Sequence, residues 1–210
     1  MNNNTAALDT VWRDVVAESY AALSAVVAGV ADDQWDLPTP CSEWTVAQVV
    51  QHAAGDQLAY AAALGVGPGP GYNPFAPSGT FDIPATVLVR TAVDQTAAAW
   101  ATVSDITPVV PTPLPHGDLP TPVAATLAAL DAAVHAWDIA IATGQPSPLT
   151  DTLATHLLAA ARTHHPAPGS GTDAEITEPL RQWGAYGPVI ETPATTPTQA
   201  LLHYLGRTSA

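Results

Sequence analysis

Blocks of apolar residues spaced three and four apart, each closed by proline or glycine, leave this chain few folds other than packed helices. Leu8, Val11, Val15, Tyr20, Leu23 and Val26–Val27 recur at helical spacing, which predicts a first helix from Thr5 to about Val30. Asp32–Trp44 carries Pro38 and Pro40 and reads as an ordered loop. Thr45-Val46-Ala47-Gln48 then matches a capping box, so a second helix starts there and runs to about Leu64. It stops in Gly65-Val66-Gly67-Pro68-Gly69-Pro70-Gly71, a strong breaker. A third helix is expected from about Asp82–Pro84 to Ser104, and Asp105–Pro120 is expected to be a long loop without period. Thr121-Pro122 opens a fourth helix that ends before Gly144, and a fifth runs from about Thr150 to His164. Beyond a linker-like run at Pro166–Thr172, Gly187–Glu191 reads as a short extended segment and Thr196–Gly206 as a last short helix.

Composition agrees with this reading and narrows the function. The chain is 47% hydrophobic but only 6% aromatic, and much of the apolar share is alanine, which favours closely packed helices over β-branched strands. Its 210 residues are enough to bury a core. We expect one domain over 1–210, with a bundle core at about 5–165 and a C-terminal extension, 166–210, packed on it. Five arginines and no lysine face nineteen acidic residues, a formal charge of −14. Scattered arginines cannot neutralise a row of phosphates, so nucleic acid and anionic membrane surfaces are excluded as partners. The apolar stretches are broken by His, Asp or Gln before the length of a membrane span, and no export signal is read at Met1–Leu8, so a cytoplasmic location is expected. The single Cys41 rules out an internal disulfide and a cysteine-based zinc cluster, and reads as a small buried filler.

Any metal must then be held by histidine and carboxylate. In the fourth helix Leu127, Leu130, Val134, Trp137 and Ile141 form the core stripe, and Asp131, His135 and Asp138 follow it as a polar strip at its edge. Asp131 and His135, four apart, share a helical face, a spacing that suits a metal in a bundle or a plain boundary pair. His52, at the margin of the second helix's apolar stripe, is a third ligand type or a hydrogen-bonded boundary histidine; His52 and Asp56, also four apart, could be an intrahelical pair. His116, His164 and His165 are expected to be solvated, and His156 and His203 lack a carboxylate at helical spacing.

Several ordered segments narrow these alternatives. Pro38-Thr39-Pro40-Cys41-Ser42-Glu43-Trp44-Thr45-Val46, followed by His52 and Gly55, resembles the signature of the mycothiol-dependent maleylpyruvate isomerase N-terminal family, within the DinB/YfiT-like superfamily of metal-binding four-helix bundles. Asp131-Ala132-Ala133-Val134-His135-Ala136-Trp137-Asp138-Ile139-Ala140, then Ala142-Thr143-Gly144, resembles its second signature. Tyr186-Gly187-Pro188-Val189 and Leu201–Arg207 resemble its closing segment. The resemblance implies an all-α, DinB-like antiparallel four-helix bundle with an additional C-terminal helix and a short extended segment, and admits a homodimer. It implies His52, Asp131 and His135 as ligands of a divalent metal, expected to be zinc, with an open fourth position, and Asp138 as a catalytic residue that orients His135. Asp131 departs from the family's usual Glu, one methylene longer. The implied activity is activation of mycothiol, or a similar low-molecular-weight thiol, for S-transfer to a small-molecule substrate or its isomerisation. The alternative on the same bundle dispenses with the thiol: a natural-product tailoring enzyme, with a pocket lined by Trp35, Trp44, Trp100 or Trp137, or a small-molecule binding or resistance protein.

Overall fold

The computed structural model describes residues 8–41, 43–113, 117–163, 178, 181–182 and 186–208. The expected linker at 166–172, the first residues of the predicted N-terminal helix, His116, His164 and His165 lie outside them. Six helices of eight or more residues are described: α1 Trp12–Ala28, α2 Val46–Ala63, α3 Ala85–Thr102, α4 Thr121–Thr143, α5 Asp151–Thr163 and α6 Pro197–Tyr204.

The ends of these helices follow from local chemistry. Thr45 caps α2 in a full capping box: Gln48 N–H donates to Thr45 Oγ1, and Thr45 N–H donates to Gln48 Oε1. Pro122 lies in the first turn of α4, where its missing N–H costs nothing. Gly144 closes α4 at φ +70°, with Gln145 N–H donating to Ala140 O and Gly144 N–H to Ile141 O, a Schellman ending that residues with a Cβ form only under strain. The loop expected at 105–120 contains a small hairpin, β1 Val109–Val110 paired antiparallel with β2 Leu119–Pro120. Two residues per strand are too few to show alternation in the sequence. Gly187–Glu191 forms no strand, although Gly187 and Ile190 donate N–H groups to Leu205 O and His203 O at the C-terminal end of α6.

α1 packs on α3 and α4, and α2 packs on the same two helices, so α1, α3, α2 and α4 contact one another in a closed ring. α5 lies on α4, and α6 lies on α5. Trp100 of α3 reaches across the core, donating from its indole N–H to Tyr20 Oη of α1 and meeting the rings of Trp12 and Tyr60. Three helices surround α4, and this changes the reading of its faces. Leu127, Leu130, Val134 and Trp137 are buried as expected and Ile141 is half-buried, but His135 and Asp138 are buried too, not set on an edge. By length and composition α4 could cross a membrane, yet 89% of its most apolar window is buried within the fold. Its apolarity is that of a central core helix.

Small residues make that centrality feasible. Ala124, Ala125, Ala128, Ala129, Ala132, Ala133, Ala136 and Ala140 are all fully buried on α4, and their methyl groups let neighbouring helices approach. Ala124→Leu adds volume where none is free and should lower stability by about 1–3 kcal/mol, read as a reduced midpoint in denaturant at unchanged slope.

Candidate metal centre

The site forms where α2, α4, the loop before α2 and the loop after it meet. That first loop is folded back on itself by an isolated bridge between Pro38 and Thr45, with Thr39 Oγ1 donating to Trp44 O. This sets Trp44 against His52, ring centroids 4.7 Å apart. The second loop is strapped to α2 by side chains of the helix and by one of its own. Gln51 donates to Thr80 O and accepts from Gly79 N–H, Gln48 donates to Pro77 O, and Tyr72 Oη donates to Gln51 O. The approach is close enough that a Cβ on Gly55 would stand 2.8 Å from Pro74 Cβ and 3.0 Å from a Tyr72 ring carbon. Gly55 therefore serves by having no side chain: it lets Pro74 present its carbonyl to His52.

His52 and His135 are held in the same way. His52 Nδ1 lies 2.8 Å from Pro74 O, and a carbonyl can only accept, so Nδ1 carries the proton. His135 Nδ1 lies 2.9 Å from Asp138 Oδ2. Asp138 is fully buried and is gripped by Arg207, whose Nε and Nη2 donate to its two oxygens at 2.8 Å each. Burial opposes the Asp138 charge, but Arg207 and His135 outweigh it and hold this carboxyl below the usual carboxylate range, so it too acts as an acceptor. Both imidazoles are thus fixed with Nδ1 protonated and Nε2 facing inward.

What they face is one oxygen. Asp131 Oδ1 lies 3.2 Å from His52 Nε2 and 3.4 Å from His135 Nε2. The aspartate, one methylene shorter than a glutamate, still reaches both rings. Two imidazole lone pairs and a carboxylate oxygen converging repel one another unless positive charge lies between them. Protons supply that charge on the bare side chains: burial disfavours the His135 cation, yet Asp131 and Asp138 push its pKa up to about 10. Burial likewise opposes the Asp131 charge, while His135 and His52 hold its carboxyl far below the ordinary range. A single divalent cation would satisfy all three donors at once. Ligand atoms about 2.0–2.2 Å from a tetrahedral zinc ion stand about 3.3–3.6 Å apart, close to the two separations seen here.

A second group, Cys41, His135 and Asp138, also brings its donor atoms within 4.8 Å. Asp138 closes that alternative, because both its oxygens are already bound by Arg207 and His135. Cys41 is half-buried at the edge of the centre, more exposed than the buried filler expected of it. Asp56, which the four-residue spacing allowed as a partner for His52, does not pair with it; burial and Asp131 push its carboxyl well up, with His135 opposing. Of the four tryptophans considered for a pocket, only Trp44 borders the site. Trp100 is in the core against α1, Trp35 packs on Phe81, and Trp137 is buried in α4. Phe75, half exposed, meets the His52 ring edge to face, with centroids 5.6 Å apart.

Arg207 was not legible as a site residue. It follows α6 in a Schellman ending, with Arg207 N–H donating to Leu202 O and Gly206 N–H to His203 O, and Gly206 at φ +77°. A Cβ on Gly206 would meet Gly187 backbone atoms at 2.5–2.6 Å, so the turn that aims Arg207 inward requires glycine twice over. Its partner lies 69 residues away in sequence.

The mycothiol maleylpyruvate isomerase N-terminal domain model matches residues 16–140, more than half of the chain. The chain belongs to this family. The matched span of the mycothiol maleylpyruvate isomerase N-terminal domain contains His52, Asp131, His135 and Asp138, while Arg207 lies beyond it. Two relatives, the uncharacterized proteins MT0763 and Rv0738 of Mycobacterium tuberculosis, are each 38% identical over 146 residues, covering 67% of this chain and 72% of their own length. No solved structure matches the chain.

Two outcomes follow from this geometry. Gly55→Ala gains helix propensity of up to about 1 kcal/mol, yet should lower the melting temperature because Pro74 must shift; a raised melting temperature would contradict the close approach. In metal-free protein, the raised His135 pKa contributes stability that is complete below about pH 6.5 and lost as pH rises through about 10. The stability difference between wild type and His135→Gln should therefore shrink across that window in thermal melts.

Proposed function

We propose that His52, Asp131 and His135 hold one divalent ion, zinc by the character of the ligand set, within a DinB-like antiparallel four-helix bundle. The site would activate a low-molecular-weight thiol such as mycothiol, for S-transfer to a small electrophilic substrate or for its thiol-assisted isomerisation. The observation that carries this reading is the convergence of two Nε2 atoms on Asp131 Oδ1 while both Nδ1 atoms are committed elsewhere. A boundary histidine needs neither constraint; a metal-ligating one commonly has both. Family membership supports the thiol.

Held by His52, Asp131 and His135, zinc would lower the pKa of a thiol and so supply a nucleophilic thiolate at neutral pH. The remaining work belongs to the chain. Pro74 O keeps the proton on Nδ1 of His52, and Asp138, itself held by Arg207, keeps it on Nδ1 of His135, so that in the neutral rings each Nε2 has a lone pair to offer a metal. Trp44 and Phe75 both pack against the His52 ring. Asp138 acts through His135 and touches no reacting atom in this scheme; it is a positioning residue.

Metal-free protein titrated with zinc in a calorimeter should take up one ion per chain. His135 is protonated below about pH 10, so binding should release a proton and tighten as pH rises towards that value. His52→Ala and His135→Ala should abolish tight binding, and Asp138→Asn should weaken it about 10–100-fold. With a panel of small electrophiles, turnover should require added mycothiol. Turnover without any thiol would favour the tailoring reading, and wild-type protein that binds no zinc would end the metal one.

A further inference from the structure

Asp131 has two oxygens, and only Oδ1 faces the imidazoles. The other is engaged from α2. Gln57 is fully buried, and its Nε2 donates to Ala128 O at 3.0 Å and points at Asp131 Oδ2 at 3.5 Å. Gln57 Oε1, by contrast, is buried with no partner among the described residues.

An orphaned acceptor in a core is costly, and its presence needs a reason. The orientation of the amide supplies one. Turning it over would bring Oε1 against two acceptors, Ala128 O and Asp131 Oδ2, and would orphan a donor instead. The amide is thus locked with its NH2 towards the carboxylate. A leucine or methionine there would leave nothing unpaired on Gln57 itself, so fold stability alone does not call for glutamine.

We infer that Gln57 is a positioning residue that ties down Asp131 Oδ2 and presents the carboxylate to the cation through Oδ1 alone. This inference rests on the metal reading proposed above. The shorter side chain gives it a purpose. On an aspartate both oxygens stay close to the helix and to each other, so a free carboxylate could swing Oδ2 towards the same centre and spread the site. With Oδ2 held by an amide N–H, one oxygen meets both imidazoles at 3.2 and 3.4 Å. Gln57 also fixes Asp131 relative to α2, the helix that carries His52, through its second bond to the α4 backbone at Ala128. The two ligand-bearing helices are thereby tied together beside the centre, with Thr96 Oγ1 of α3 donating to the Gln57 carbonyl and fixing the backbone from the third side.

The test compares full-length wild type with Gln57→Met, which keeps length and volume, and with Gln57→Leu in case the first variant folds poorly. Each is stripped of metal and titrated with cobalt(II) and, by chelator competition, with zinc. The inference predicts that the variants bind either ion about 10–100-fold more weakly. It also predicts that their cobalt absorption bands shift as carboxylate binding changes, while the metal-free variants melt at or above the wild-type temperature. A purely structural glutamine would instead lower the melting temperature and leave affinity and spectrum alone. Variants that match wild type in affinity and spectrum overturn this inference and leave the metal reading intact; a wild type that takes up neither ion overturns both.

Discussion

The arrangement of this protein turns on a charge requirement at a single oxygen. Asp131 Oδ1 stands against the Nε2 atoms of His52 and His135, and neither ring can turn away, because each Nδ1 is held by an acceptor of its own. Without positive charge between them the three groups repel one another in a buried setting, where Coulomb terms are far larger than in water. With it, they attract. Protons on the imidazoles meet that requirement on the bare side chains, a divalent cation would meet it as well, and the elements around the centre can be understood by how they keep the two rings and the carboxylate from relaxing.

Those elements come from every part of the described chain. The loop before α2 supplies Trp44, the loop after α2 supplies the Pro74 carbonyl, and the turn after α6 supplies Arg207. Glycine governs two of these approaches by absence: Gly55 admits the Pro74 loop, and Gly206 allows the turn that sends Arg207 inward. Arg207 is the more consequential. A buried carboxylate at Asp138 would be untenable alone, and burial by itself would drive it to the neutral form, which can donate as well as accept. The guanidinium keeps it charged, and through it keeps the tautomer of His135. A segment outside the family's matched span thus determines the state of a residue within it.

The sequence made the helices and their ends legible wherever the signal was local. The capping box at Thr45, the proline at 122 and the glycine at 144 act within four residues of the ends they define, and each helix end lies where they put it. The three residues His52, Asp131 and His135 were readable as a set because their types and spacing match a family signature, and they do meet. What escaped was of two kinds. Pro74 contributes a backbone carbonyl, which no side-chain pattern marks. Gln57 and Arg207 act across 74 and 69 residues of sequence, on partners that only the packing brings near. The face of α4 was misjudged for a related reason. A stripe of large apolar residues marks one buried face, but a helix flanked on three sides buries its alanines and its polar residues alike, and alanine carries little directional signal.

X-ray absorption at the zinc edge, on protein loaded with one equivalent of zinc, tests the centre most directly. The account predicts scattering from two imidazoles and a carboxylate oxygen, with nitrogen and oxygen at about 2.0–2.2 Å. Zinc bound with fewer than two imidazoles, or with the sulfur of Cys41 among its ligands, would contradict it.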